Sequence, residues 1–162
     1  NIFSNQATRC SYSIMRRLEA KDLKEISLLK HYRIVRRWAC KTNNLTDADL
    51  ELLIYFDCID LFSRQDYIDG VYTYSWDKDR WRRLVREGWI VIWRKRNKTT
   101  QKYNIYKTST KCRLLINKIY KILLGECDLP VSESHNPIMK GLSYTDKVMK
   151  KAIKLINNDK NR

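Results

Sequence analysis

Residues 75–102 hold ten Lys/Arg against three Asp/Glu, a net +7 out of the chain's formal +15. The chemistry open to such a stretch is recognition of a polyanion. A guanidinium offers paired N–H donors to phosphate or to the O6/N7 edge of guanine, and an ammonium supplies a point charge to phosphate. Arg82, Arg83 and Arg86 are the side chains suited to guanine, with Lys78 and Arg80 suited to phosphates and Asp79 on the same outward side. Trp76 would pack on sugars or a thymine methyl, or equally under the preceding short helix. Arg94, Lys95, Arg96, Lys98 and Lys102 would track phosphates or probe a minor groove. Ser63, Arg64 and Gln65, just upstream, would touch the backbone.

Other chemistries find little footing. The five cysteines (Cys10, Cys40, Cys58, Cys112, Cys127) include no Cys-x-x-Cys, and His31 and His135 form no ligand-like cluster with them, so zinc-ligand spacing is absent. Asp57, Asp60, Asp66 and Asp69 read as helix ends and a solvated acidic face rather than a metal cluster. With four glycines in all there is no glycine-rich phosphate loop, and neither catalysis nor a cofactor is expected. Cys58 and Cys112 lie near apolar residues and are expected in the core; the cysteine usage points to a reduced, intracellular compartment.

At 162 residues the chain suits a single domain, and no apolar run approaches the roughly 20 residues that span a bilayer. A pI near 9.7 points to a polyanionic partner. Charge is polarised: residues 44–70 carry seven acids and one base, whereas 1–43 carry a net +7. That pattern favours a cationic face over an even coat.

The elements that must position these residues follow from periodicity. Residues 1–21 read as an arm. Asp22 to Lys41 reads as one helix, with Leu28, Tyr32, Val35 and Ala39 on its apolar face, widened by Ile34 and Trp38, and Lys30, Arg33, Arg37 and Lys41 opposite. Thr46 caps a second helix running to about Asp60, with Leu50, Leu53, Ile54 and Cys58 inward. Leu61-Phe62 reads as a short extended piece. Ser63 caps a short third helix, Arg64 to Asp69, stopped by Gly70 and joined by 71–74 to a fourth. The fourth helix spans 75–88, turns Trp81, Leu84 and Val85 to the core and ends at Gly88. Residues 89–93 and 103–106 read as a hairpin around a cationic loop. A fifth helix runs from Lys111 to about Gly125. Residues 128–140 hold both prolines and read as a linker before a last amphipathic helix capped by Ser143.

Three phrases carry a resemblance: Leu45-Thr46…Asp49-Leu50…Leu53, Leu84-Val85-Arg86-Glu87-Gly88-Trp89-Ile90, and Tyr103…Thr108…Lys111. Residues 22–125 resemble the MarR-type transcription regulators. No glycine follows Tyr103-Asn104-Ile105-Tyr106-Lys107-Thr108, and the wing lacks the aspartate and arginine arrangement of many members. The resemblance implies a mainly α fold with a small β-wing, a winged helix-turn-helix with extra N- and C-terminal helices. It also implies double-stranded DNA as partner and a homodimer joined through the helices at 22–41, 111–125 and 144–157. Wide apolar faces on those helices point to a dimer independently; packing within one chain is the alternative. The Lys-, Ile- and Asn-rich composition suggests an AT-rich genome, and the style is similar to small phage-encoded regulators acting in the cytoplasm. An architectural or virion-associated DNA-coating protein is the second expectation. A small-molecule effector is possible in the family, but nothing in the sequence specifies one.

Overall fold

The computed structural model describes residues 19–26, 29–74, 77, 79–97 and 99–159. Its elements in order are α1 (Ala20–Ile26), α2 (Tyr32–Asn43), α3 (Asp47–Ile59), α4 (Arg64–Tyr74), α5 (Arg80–Arg86), β1 (Ile90–Arg94), β2 (Ile105–Thr108), α6 (Thr110–Leu123), a 3-10 turn (Pro137–Lys140) and α7 (Tyr144–Asn158). The protein is thus mainly helical with one small antiparallel sheet. None of the described helices is long and apolar enough to cross a membrane.

α3 lies at the centre, touching α2, α6 and β2. A capping box starts it: Thr46 accepts from the Asp49 amide at 3.1 Å, and Asp49 accepts from the Thr46 amide at 3.0 Å. Leu50, Leu52, Leu53 and Phe56 are fully buried, so α3 is covered on a broader arc than the sequence period suggests. Cys58, expected inside, is exposed, whereas Cys112 is fully buried.

An aromatic cluster joins the second half of the fold. Phe56 of α3 stacks on Phe62 at 4.2 Å, and Trp81 of α5 meets Tyr106 of β2 at 4.9 Å and Tyr67 of α4 at 5.4 Å. Such pairs add stabilisation beyond the area they bury. Phe62 also belongs to the extended piece expected from the sequence. It exchanges both backbone hydrogen bonds with Tyr106, at 3.1 and 2.8 Å, and so adds one residue of pairing to the outer side of β2.

Four expectations about elements need correction. The helix expected over 22–41 is two helices with a turn at 29–31; residues 27 and 28, and with them the expected face residue Leu28, lie outside the described residues. The turn is pinned from afar. Asp159, just past α7, accepts from Lys30 at 2.8 Å and stands 3.5 Å from His31. α4 continues through Gly70 to Tyr74, so Val71–Tyr74 is helix rather than connection. Gly70 has no left-handed φ and is buried, so packing overrides its modest cost in a helix. α5 is seven residues long instead of spanning 75–88, with residues 75, 76 and 78 outside the described set. The returning strand begins at Ile105, not Tyr103, and the register slips between Ile92 and Arg94.

The expected linker is not a tether. Leu129, Asn136, Ile138 and Met139 are buried. Asn157 of α7 both donates to and accepts from the Leu129 backbone, at 3.0 and 2.9 Å. Trp38 donates its indole N–H to the His135 carbonyl at 3.1 Å. The 3-10 turn thereby fills the space between α2 and α7. Val35, Trp38 and Ala39 of α2, Ile116, Ile119 and Ile122 of α6, and Met149, Ile153 and Ile156 of α7 are all buried in the single chain. Much of the apolar width that points to a dimer is thus covered within one molecule, while Leu114 of α6 and Val148 and Leu155 of α7 stay exposed.

Candidate nucleic-acid interface

α5 and the hairpin carry the expected cationic residues, and their local folding decides which remain available. α5 ends in a Schellman turn: the Trp89 amide donates to Leu84 O at 3.0 Å and the Gly88 amide to Val85 O at 3.2 Å. Gly88 adopts φ +78°, a conformation strained for any other residue type. Lys111 of α6 donates to the Glu87 carbonyl at 2.7 Å and sits 4.2 Å over the Trp89 ring, closing the helix end. The chain then enters β1 with Trp81 and Leu84 facing inward.

This geometry splits the arginines of α5. Arg82 and Arg86 are exposed. Arg80 and Arg83, expected on phosphate and guanine, turn back instead. The Arg80 Nε and an Nη2 of Arg83 both donate to Oδ1 of Asp49 at 2.6 Å. Asp49 is fully buried and Arg80 nearly so, which makes this a structural ion triad linking α5 to the start of α3. Burial pushes the Asp49 carboxyl up, but hydrogen bonds from the Thr46 backbone, Arg83 and the Thr46 side chain outweigh it, leaving the pKa below the ordinary carboxylate value. The expectation that Arg83 projects outward fails because a buried carboxylate 34 residues earlier in the chain claims its guanidinium.

The hairpin residues match expectation in exposure: Arg94, Lys95, Arg96 and Lys102 are all on the surface. The loop has a fixed form. Asn97 Oδ1 accepts from the Thr100 and Gln101 amides at 2.7 and 2.8 Å, and Asn104 accepts from the Arg96 amide at 2.7 Å. The start of α4 faces this loop. Arg64 and Gln65 line, with Arg96, Lys102 and Tyr103, a groove of about 310 Å³. The fold therefore brings together two sets of residues some 30 positions apart that are expected on one ligand. Tyr103, 65% exposed, lines that groove; its aromatic and β-branched surroundings in the sequence signal only a strand.

Two further expected contacts are modified. Ser63 is engaged with Asp66, its amide at 2.7 Å and its hydroxyl at 3.1 Å from Oδ2, so it caps α4 rather than offering its hydroxyl outward. Gln65 donates to Asp69 at 2.8 Å. Asp79 is exposed just before α5, where its charge disfavours phosphate. Trp76, Lys78 and Lys98 lie outside the described residues. Among the described residues Arg64, Arg82, Arg86, Arg94, Lys95, Arg96 and Lys102 have no ion-pair partner.

The acids spaced as conceivable metal ligands are engaged elsewhere. Asp57 accepts from Thr108 at 2.9 Å, Asp60 from Arg113 at 2.9 Å, Asp66 caps α4 and Asp69 meets Gln65. Among the described residues no group of His, Cys, Asp or Glu is arranged to hold a metal. Burial pushes the Cys40 and Cys112 thiols up to about 12, so neither is a nucleophile near neutral pH. Compared with known proteins, the chain matches no family model, no curated protein and no solved structure.

Proposed function

We propose that the protein binds double-stranded DNA through a winged helix formed by α3, Phe62, α4, α5 and the β1–β2 hairpin. The order helix, single paired residue, helix, helix, hairpin supports this reading, since Phe62 pairs with the returning strand as the first strand of a winged helix does. The observation that carries it is the set of unneutralised cations on α5, the hairpin and the start of α4, displayed on elements fixed by the aromatic cluster. A helix of this kind enters the major groove and a basic hairpin follows the phosphates. Arg82 and Arg86 are the residues assigned to the groove, with Arg94, Lys95, Arg96, Lys102 and Arg64 on the backbone.

One observation favours the non-sequence-specific alternative. With Arg80 and Arg83 held by Asp49, only two arginines of α5 remain for base edges, so phosphate contacts dominate. A dimeric regulator would select a symmetric site with half-sites about 10 base pairs apart from a random pool, and prefer it over bulk DNA by about 10³-fold or more. A coating protein would do neither.

The test is binding of the Arg82→Ala, Arg86→Ala protein to random duplex DNA across a salt series. Removing one phosphate-binding cation lowers the salt slope by about 0.9, and removing one bidentate arginine from a base costs about 1–3 kcal/mol on a preferred site. Wild-type affinity and slope in that variant would remove α5 from the interface.

A further inference from the structure

A second cationic surface lies away from the hairpin. Lys147, Lys150, Lys151 and Lys154 follow one another on α7 at steps of three, one and three residues, and Lys140 faces them from the 3-10 turn. With Gly141 these five lysines line a groove of about 550 Å³ and no acid shares the lining. Gly141 takes φ +62° to close the turn, and a Cβ there would stand 3.5 Å from Lys147, so the two walls meet closely. The one acid within α7, Asp146, cannot neutralise the stripe. It is buried on the flank of the stripe against α2, where Arg37 donates to it at 2.9 Å and Lys41 also pairs with it, so its charge is already engaged. Among the described residues none of the five lysines has an ion-pair partner.

Like charges three and four residues apart on a helix each cost about 0.2–0.5 kcal/mol. Here four such spacings occur in one stripe with no ion pair to offset them among the described residues, which marks the groove as a receptor for an external polyanion. The lining also says which kind. It has no aromatic ring to stack a base and no amide to read one, and ammonium groups contact phosphate oxygens without demanding a fixed geometry. The stripe from Lys147 to Lys154 covers about 10 Å of helix, the axial rise of about three phosphates in one DNA strand.

We propose that the α7 groove is a second binding site for the phosphodiester backbone, so that one molecule holds two duplex segments, one at the hairpin and one at α7. The two-segment consequence rests on the hairpin reading; the groove as a phosphate site does not.

The experiment uses the full chain, donor- and acceptor-labelled short duplexes of random sequence, and two variants. Lys147→Gln, Lys151→Gln, Lys154→Gln removes three of the groove's five cations; Arg82→Ala, Arg86→Ala, Arg94→Ala, Arg96→Ala removes four of the seven on the hairpin side. Wild type should bring the two labels together and bind two duplexes. The groove variant, its thermal midpoint unchanged, should bind one duplex and lose energy transfer. The hairpin variant should keep one duplex, with a salt slope that falls by about 2–3 when the groove lysines are also removed. Should the hairpin reading alone be wrong, the hairpin variant would bind like wild type while the groove variant lost all binding, which leaves the groove site standing. Energy transfer and stoichiometry unaffected by the lysine changes would overturn the proposal. So would lysine-dependent binding to phosphatidylserine vesicles with DNA binding untouched, because exposed Tyr144, Val148 and Leu155 beside the stripe would then make α7 a membrane-surface helix.

Discussion

Replacing Asp49 with asparagine probes the joint between α5 and the rest of the fold. Asp49 is completely buried and its Oδ1 takes two charge-assisted hydrogen bonds of 2.6 Å from Arg80 and Arg83. Removing one side of a buried ion pair costs about 3–5 kcal/mol. Arg83 keeps about a third of its side chain in water, and asparagine still offers an acceptor oxygen, so the lower end applies, about 3 kcal/mol. With a urea m value of about 2 kcal/mol/M, the midpoint of unfolding should fall by about 1.5 M at pH 7. The pH dependence has a definite sign. The folded pKa of Asp49 lies below the ordinary 3.8, so the stabilisation is complete above that value and is lost as pH falls through the folded pKa. The gap between wild type and variant should therefore be constant from pH 7 to about 5 and close in strong acid, where the wild-type side chain is also neutral. Asp146, likewise held below the usual range against burial by Lys41 and Arg37, titrates in both proteins and cancels from the difference. A midpoint shift under about 0.3 M at pH 7, or a gap that does not narrow as the pH falls below the ordinary carboxylate value of 3.8, would refute the triad as the joint.

Two other outcomes are expected. Phe62→Ala removes the ring stacked on Phe56 and should cost about 3–5 kcal/mol in denaturant unfolding, loosening the hairpin through Tyr106; a loss below about 1 kcal/mol would mean the cluster does not hold the hairpin. A thiol reagent at about pH 8, read by peptide mass spectrometry, should label exposed Cys58 first and reach Cys40 and Cys112 only on unfolding, and native labelling of either buried thiol would contradict their placement.

Much of the architecture is legible locally. Thr46, Ser109 and Ser143 announce helix starts through hydroxyls that accept amides three residues on. Gly88 announces a helix end, and alternation with β-branched and aromatic residues announces the hairpin. These signals act over a few residues, so a linear reading captures them. The α7 lysines are equally visible as a period, but the fifth lysine and the groove they share depend on the 3-10 turn folding back.

What the chain by itself determined is therefore the existence of a helical protein with a basic hairpin and a surplus of cations. Tertiary structure decided which cations remain. Arg82 and Arg83 are neighbours of identical type, and helical period places Arg83 outward as readily as Arg82. Only the arrival of Asp49 from α3 commits one guanidinium to a buried carboxylate and leaves the other exposed, with no ion-pair partner among the described residues. The turn at 29–31 and the burial of Leu129, Asn136, Ile138 and Met139 follow the same logic, since Asp159, Asn157 and Trp38 reach these segments from distant positions. Such pairings arise when a buried charge or amide must find its partner, and that partner is fixed by packing rather than by sequence distance.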